Sequence, residues 1–88
     1  MLVRVQYDLF SPGKLVGVYD STRHFLEWDG SLVKHVARGT TVTECQYALT
    51  EEGWKALIEE LKRKEKAGMV KNLFISRRDP KTGEWVRI

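Results

Sequence analysis

The chain has 88 residues, of which 42% are hydrophobic and 31% charged, and its formal net charge is +3. This length and composition predict one globular domain over residues 1–88 and exclude a disordered tail. No apolar run approaches the roughly 20 residues of a membrane helix, and the N-terminus lacks a signal-peptide pattern, so we expect a cytoplasmic protein without a membrane partner.

Charge is divided unevenly along the chain. Residues 1–60 contain six Lys or Arg and nine Asp or Glu, whereas residues 61–88 contain nine and three. Such asymmetry is typical of proteins that bind nucleic acid or another acidic partner. Solvation of a helix end and an exposed hairpin is the alternative explanation.

Residues 3–9 alternate between apolar and polar side chains, which predicts a half-buried strand. Residues 11–14 follow, with Pro12 and Gly13 in the order that favours a turn. Residues 15–19 are then predicted to form a second strand, antiparallel to the first.

Asp29-Gly30 separates two strand-like segments, 23–28 and 31–36. Asp-Gly is a strong hairpin signal because both turn residues adopt positive φ. A second interpretation makes 22–38 helical, at a cost of about 1 kcal/mol for the glycine in its middle.

The two histidines of the chain lie in this predicted hairpin. A two-residue turn places His24 directly opposite His35, within cross-strand contact distance. Such a pair can titrate together or bind a metal, for which Cys45 or Glu44 on the next strand would have to supply further ligands. Structural zinc sites normally show cysteine-rich spacing, so we predict no metal site and take half-exposed histidines as the simpler interpretation.

Residues 41–49 are rich in β-branched side chains and predict another strand. Cys45, Tyr47 and Leu49 alternate along it, which indicates a core-facing row and an unreactive thiol. As Cys45 is the only cysteine, no internal disulfide is possible.

The spacing of apolar residues predicts an amphipathic helix at about 51–67. Thr50 is its expected N-cap, and Gly68 is suited to end it. The apolar stripe consists of Trp54, Leu57, Ile58 and Leu61.

The tail returns to β structure, with strands at 70–78 and 84–88 joined by a turn at 79–83. The predicted fold is therefore an α+β domain: an antiparallel sheet of about five to seven short strands, one helix packed on one face, and a C-terminal hairpin. A small five-stranded barrel of the OB type is the alternative.

No pattern of residues indicates catalysis or a cofactor. No serine lies in a nucleophile elbow, and the glycines do not form a phosphate-binding loop. Scarce Asn and Gln with abundant Lys, Arg and Glu give the chain a thermophile-like composition. We therefore expect a small non-catalytic binding protein.

The basic end of the helix and the final hairpin are predicted to bind nucleic acid by neutralising phosphates, while Trp85 stacks on bases or else covers a core edge. The predicted site residues are Lys62, Arg63, Lys64, Lys66, Lys71, Arg77, Arg78, Lys81, Trp85 and Arg87. The alternative is a protein-interaction module that presents the same basic residues to an acidic protein surface. It would use the edge strand 84–88 to bind a partner or to form a homodimer.

Overall fold

The computed structural model describes residues 2–12 and 19–88. Its elements, in chain order, are β1 (Val3–Pro12), β2 (Tyr19–Trp28), β3 (Leu32–Arg38), β4 (Val42–Ala48), α1 (Glu51–Lys66), β5 (Val70–Arg78) and β6 (Trp85–Arg87).

The strands form one six-stranded sheet in the order β4-β3-β2-β1-β5-β6, and every neighbouring pair is antiparallel. The predicted α+β architecture with a C-terminal strand pair is confirmed. The barrel alternative is wrong because the sheet is open, with β4 and β6 at its edges. The helix carries the chain from the β4 edge to β5; its 16 residues are about 24 Å long, enough for four inter-strand steps of about 4.8 Å.

The first hairpin is longer than predicted. β1 continues through Ser11 to Pro12, which pairs with Tyr19, so the predicted turn at 11–14 is wrong for its first two residues. The predicted strand at 15–19 lies outside the described residues except for Tyr19. Residues 20–22, which lie between the predicted strands 15–19 and 23–28, belong to one continuous β2, since β1 pairs with all three of them.

The hairpin between β2 and β3 is confirmed, and the helical alternative for 22–38 is wrong. Its predicted register is also wrong, since Trp28 pairs with Val33 instead of Ser31. The loop takes four residues because the Asp29 carboxylate accepts hydrogen bonds from the backbone N–H groups of Ser31 and Leu32, each at 2.8 Å. A slip of two residues keeps every side chain on its predicted face.

The helix begins and ends as the sequence predicts. Thr50 Oγ1 accepts a hydrogen bond from the backbone N–H of Gly53 at 3.1 Å, and Gly68 follows the helix with a positive φ of 80°. Trp54 and Leu61 of the apolar stripe are buried.

The core lies between α1 and one face of the sheet. Trp28 and Trp54 stack within it, with ring centroids 5.5 Å apart, and the Trp28 indole donates to the Leu49 carbonyl at 2.9 Å. These contacts fix the start of the helix to the sheet. The buried apolar residues are Val3, Val5, Tyr7, Leu26, Trp28, Val33, Trp54, Leu61 and Val70.

The predicted burial of Cys45 is wrong, since its side chain is exposed. β4 is an edge strand, and along it only Tyr47 is even partly buried. One helix is narrower than six strands, so it leaves most of β4 uncovered. Alternation alone does not reveal which strands a helix covers.

Candidate functional site

The face of the sheet opposite α1, called here the open face, carries the side chains that alternate with the core residues. On β1, for example, Val3 and Val5 face the helix, whereas Arg4 and Gln6 lie on the open face with their neighbours across β2 and β5. The basic residues of the open face outnumber its acidic residues Asp8, Glu27 and Glu44. These basic residues are Arg4, Arg23, Lys34, Arg38, Lys71, Arg78 and Arg87.

Each acidic side chain of the open face is held in a cross-strand ion pair. The nitrogen–oxygen distances of these pairs run from 2.6 Å to 3.3 Å. Their members are Arg4 with Glu27, Arg23 with Asp8, and Lys34 with Glu44. The acids are therefore neutralised within the face, and a surplus of cations remains.

Asp8 is the most enclosed of these acids. It accepts hydrogen bonds from Arg23 Nε at 2.8 Å and from Asn72 Nδ2 at 2.8 Å. The hydrogen bond from Arg23, followed by that from Asn72, lowers the pKa of the Asp8 carboxyl. Asn72 has a φ of 55° beside the register shift between β1 and β5, so Asp8 also anchors this irregularity.

The surplus cations have no ion-pair partner within residues 2–12 and 19–88. They are Arg38, Lys71, Arg78 and Arg87. They lie on three strands, β3, β5 and β6, so positive charge is present on both sides of the central strands β1 and β2.

Aromatic rings lie beneath three of these surplus cations and beneath the paired Arg4. The Arg38 guanidinium is 5.5 Å from the centroid of Phe25, and that of Arg87 is 4.5 Å from Phe74. The remaining two pairs place Lys71 Nζ 5.1 Å from Phe10 and the Arg4 guanidinium 3.9 Å from Trp85. Each distance is within the range of a cation–π interaction.

A hollow of about 280 Å³ lies in the open face where β1, β2 and β3 run side by side. Its apolar surface comes from Phe25 and Val36, and the Gln6 amide and three cations surround it. This volume is near the lower limit for small-ligand sites. The complete lining is Arg4, Gln6, Phe25, Glu27, Lys34, Val36 and Arg38.

The site residues predicted from the sequence divide between the two faces of the sheet, the turn after β5 and the helix. Those on the open face are Lys71, Arg78, Trp85 and Arg87. Arg77 lies on the helix-side face opposite Val3, and Lys81 lies in the turn after β5. The helix supplies Lys62, Arg63, Lys64 and Lys66.

Two of the helix cations already have acidic neighbours. Lys62 pairs with Glu59 at 3.9 Å, and Arg63 pairs with Glu60. With Lys66 they border a groove between α1 and the β5–β6 pair, which Arg87 also lines from the edge strand. The helix end therefore offers less uncompensated charge than its composition indicates.

Sequence reasoning did not identify Arg4, Phe10, Phe25, Arg38 or Phe74 as site residues. A usable signal exists for two of them. Phe25 precedes the buried Leu26, and Phe74 lies between the partly buried Leu73 and Ile75, so both rings are out of phase with the core. An aromatic residue at a strand position where alternation predicts a polar side chain indicates a functional surface, and this can be read from the sequence.

The histidines meet on the opposite face of the sheet. His24 pairs with Ala37 and His35 with Leu26, so the predicted direct opposition is wrong. Their predicted contact is confirmed, because His24 Nδ1 lies 2.8 Å from His35 Nε2 across the diagonal. The ring of His24 also stacks on Tyr7, with centroids 4.8 Å apart.

Burial sets the protonation of this cluster. It lowers the pKa of His35, and together with the charge of His35 it lowers the pKa of His24. Burial also raises the pKa of Tyr7 to about 12. Cys45 pairs with His35, yet no group of three or more His, Cys, Asp or Glu in the described ranges is arranged to hold a metal ion.

Fold and site together define an α+β protein with a one-sided helix and a basic, aromatic-bearing sheet face. Comparison of the chain with protein-family models, with curated proteins and with solved structures finds no match. Across the described residues, no helix has both the length and the apolarity needed to cross a membrane.

Proposed function

We propose that this protein is a non-catalytic nucleic-acid-binding module whose binding surface is the open face. The observation that carries the proposal is the charge balance of that face. Its acidic side chains are all paired, while Arg38, Lys71, Arg78 and Arg87 have no ion-pair partner in the described part of the chain. Uncompensated cations spread over a broad surface suit a polyanion better than a small acidic group.

Phosphate neutralisation would provide most of the affinity. Cations on several strands can contact successive phosphates of one backbone, and each contact releases condensed counterions. Binding is then sequence-independent in its main part and steeply dependent on salt. The helix cations contribute as a second, weaker surface because Lys62 and Arg63 are paired with glutamates of their own helix.

The test is a titration of fluorescently labelled mixed-sequence oligonucleotides, followed by anisotropy. We expect binding at about 50 mM salt that weakens by orders of magnitude by about 200 mM. The variant Arg38→Glu/Lys71→Glu should weaken binding by about tenfold or more, since it reverses two phosphate contacts. Lys64→Glu/Lys66→Glu is the matched control: it changes net charge equally on the helix and should have a much smaller effect. Absence of wild-type binding at low salt would contradict the proposal.

A protein-interaction function is the second candidate, and the β4 edge favours it. β4 is a seven-residue edge strand with almost all its side chains exposed, and it contains no proline or lysine to deter pairing. A partner strand could extend the sheet there by backbone hydrogen bonds. β6, the edge predicted from the sequence, is only three residues long and offers less backbone for such pairing.

A further inference from the structure

The aromatic rings of the open face have no role in the core. Among the described residues, the buried apolar side chains all lie on the helix side, yet Phe74 on the open face is 39% exposed, and Phe25 and Trp85 are partly exposed. Large rings left in contact with water on one face of a sheet mark a contact surface more often than a folding requirement. Their position among cations indicates the chemistry of what they contact.

Two of these rings flank a polar side chain in one row across the sheet. Gln6 on β1 pairs with Phe25 of β2 on one side and with Phe74 of β5 on the other. With strands about 4.8 Å apart, the two rings are separated by roughly 10 Å. A chain lying across the strands could place one flat group on each ring, with the Gln6 amide between them.

The hollow beside Phe25 has the features of a site for a flat polar ring. Phe25 and Val36 give it apolar surface, and the Gln6 amide can both donate and accept hydrogen bonds at the edge of a bound group. Arg38 and Lys34 border it and can reach an attached phosphate. Unpaired nucleobases combine these properties: a π-face for stacking, polar edges, and a phosphate backbone.

We infer that the occupant of the open face is a single-stranded nucleic acid whose unpaired bases stack on Phe25 and Phe74. This inference rests on the proposed function and narrows it. In a duplex the bases are already stacked on one another, so the rings of a sheet face gain nothing from it and only the cations make contact. Aromatic rings interleaved with cations are therefore useful for a single strand and superfluous for a duplex.

The deciding experiment compares three probes of one sequence by anisotropy at one salt concentration: a ten-nucleotide RNA, the same sequence as single-stranded DNA, and the corresponding DNA duplex. We expect at least one single strand to bind about tenfold or more tighter than the duplex. The two single-stranded arms show whether the ribose 2′-hydroxyl contributes.

Ring variants then separate stacking from charge. Phe25→Leu/Phe74→Leu retains apolar side chains and the charge of the face. It should weaken single-strand binding by about tenfold or more and leave duplex binding unchanged. Phe25→Trp/Phe74→Trp, which keeps stacking rings, should preserve single-strand affinity. Should the double leucine variant fail to fold, Phe74→Leu alone at its exposed position provides the same comparison.

Trp85 provides an independent readout. A base that stacks near it should quench its fluorescence on titration with the single strand, and Trp85→Phe should remove that change, because Trp28 and Trp54 are buried on the opposite face.

Different results would contradict the single-strand inference and the proposed nucleic-acid binding. Equal binding of duplex and single strand, unaffected by the leucine variants, would overturn the inference and leave the proposed function standing. No binding of any probe would overturn the proposed function itself. A homodimer that the leucine variants dissociate would also overturn the inference, because the rings would then serve self-association.

Discussion

The cation over each aromatic ring of the open face occupies the position that a stacked base would take. Arg4 over Trp85 and Arg87 over Phe74 are the closest of these contacts, at 3.9 Å and 4.5 Å. A cation–π contact at an exposed site stabilises by about 0.5–1 kcal/mol, whereas stacking of one base contributes about 1–3 kcal/mol. If the proposed single strand binds, exchange of a cation for a base would gain more than it loses, and the displaced cation would become available to a phosphate.

At the same scale, the histidine contact predicts a pH dependence of stability. The His24–His35 hydrogen bond needs one nitrogen to donate and the other to accept, so it is lost when both rings are protonated. The pKa of each histidine is lowered in the folded state, so the unfolded chain binds more protons below about pH 6.5. The free energy of unfolding should therefore be at its full value above that pH and fall on acidification toward pH 5.

Urea denaturation at several pH values measures this effect. The chain has only two histidines, so the change between about pH 5 and pH 7 belongs to this pair. His35→Gln keeps a hydrogen-bonding group beside His24 and removes one titrating ring, so its profile should be flatter. A wild-type profile without slope in this interval would contradict the prediction.

Among the elements, α1 is the one whose stability depends most directly on local sequence. Its first turn carries Glu51 and Glu52 at the positive end of the helix dipole, and its last turn carries basic residues. Glu51 and Lys55 form an i,i+4 pair at 3.5 Å. Glutamates of the same helix pair with Lys62 and Arg63, and this pairing weakens the helix as a phosphate-binding surface.

The N-cap of α1 predicts a measurable loss on substitution. Thr50→Ala removes the hydrogen bond that the Gly53 N–H donates to Thr50 Oγ1, which should cost about 1 kcal/mol of stability. For a domain of this size that corresponds to a decrease in Tm of roughly 4–8 °C. Thr41→Ala, at an exposed loop position, is the control and should leave Tm unchanged. Equal Tm values for the two variants, read by circular dichroism, would show that the cap is not needed.

The shape of the whole molecule follows from one helix on a wide sheet. The Cα radius of gyration is 14.1 Å, against about 12 Å for a compact chain of this length. The principal extents of 49 × 26 × 24 Å describe an elongated particle. Its broad open face is positively charged, so two copies placed face to face would repel each other.

We therefore predict a monomer at micromolar concentration, with an elongated scattering profile. Sedimentation equilibrium measures the mass, and small-angle X-ray scattering measures the radius of gyration. A wild-type dimer that the Thr43→Lys substitution dissociates would indicate pairing through the β4 edge and would favour the protein-interaction function instead. Val86→Lys, on the opposite edge, is the comparison for that result.

Local patterns were sufficient for most elements of this fold, but not for the end of β1 or the start of β2. Alternation predicted β1, the Thr50 cap and apolar stripe predicted α1, and Asp29-Gly30 predicted the hairpin between β2 and β3, because each signal depends on residues close in sequence. The length of that hairpin loop was not predicted, since the side chain of Asp29 bonds two backbone N–H groups and extends the turn.

The sequence by itself determined the class of fold, the position of the helix and the concentration of basic residues in segment 61–88. Only the tertiary structure decided which of those residues share a surface. β5 inserts beside β1 instead of extending from β4, which brings Phe74 and Arg87 onto the same face as Phe25 and Arg38. It also exposes Cys45 at an uncovered edge. Strand order depends on contacts between residues distant in sequence, and neither alternation nor charge counting contains that information.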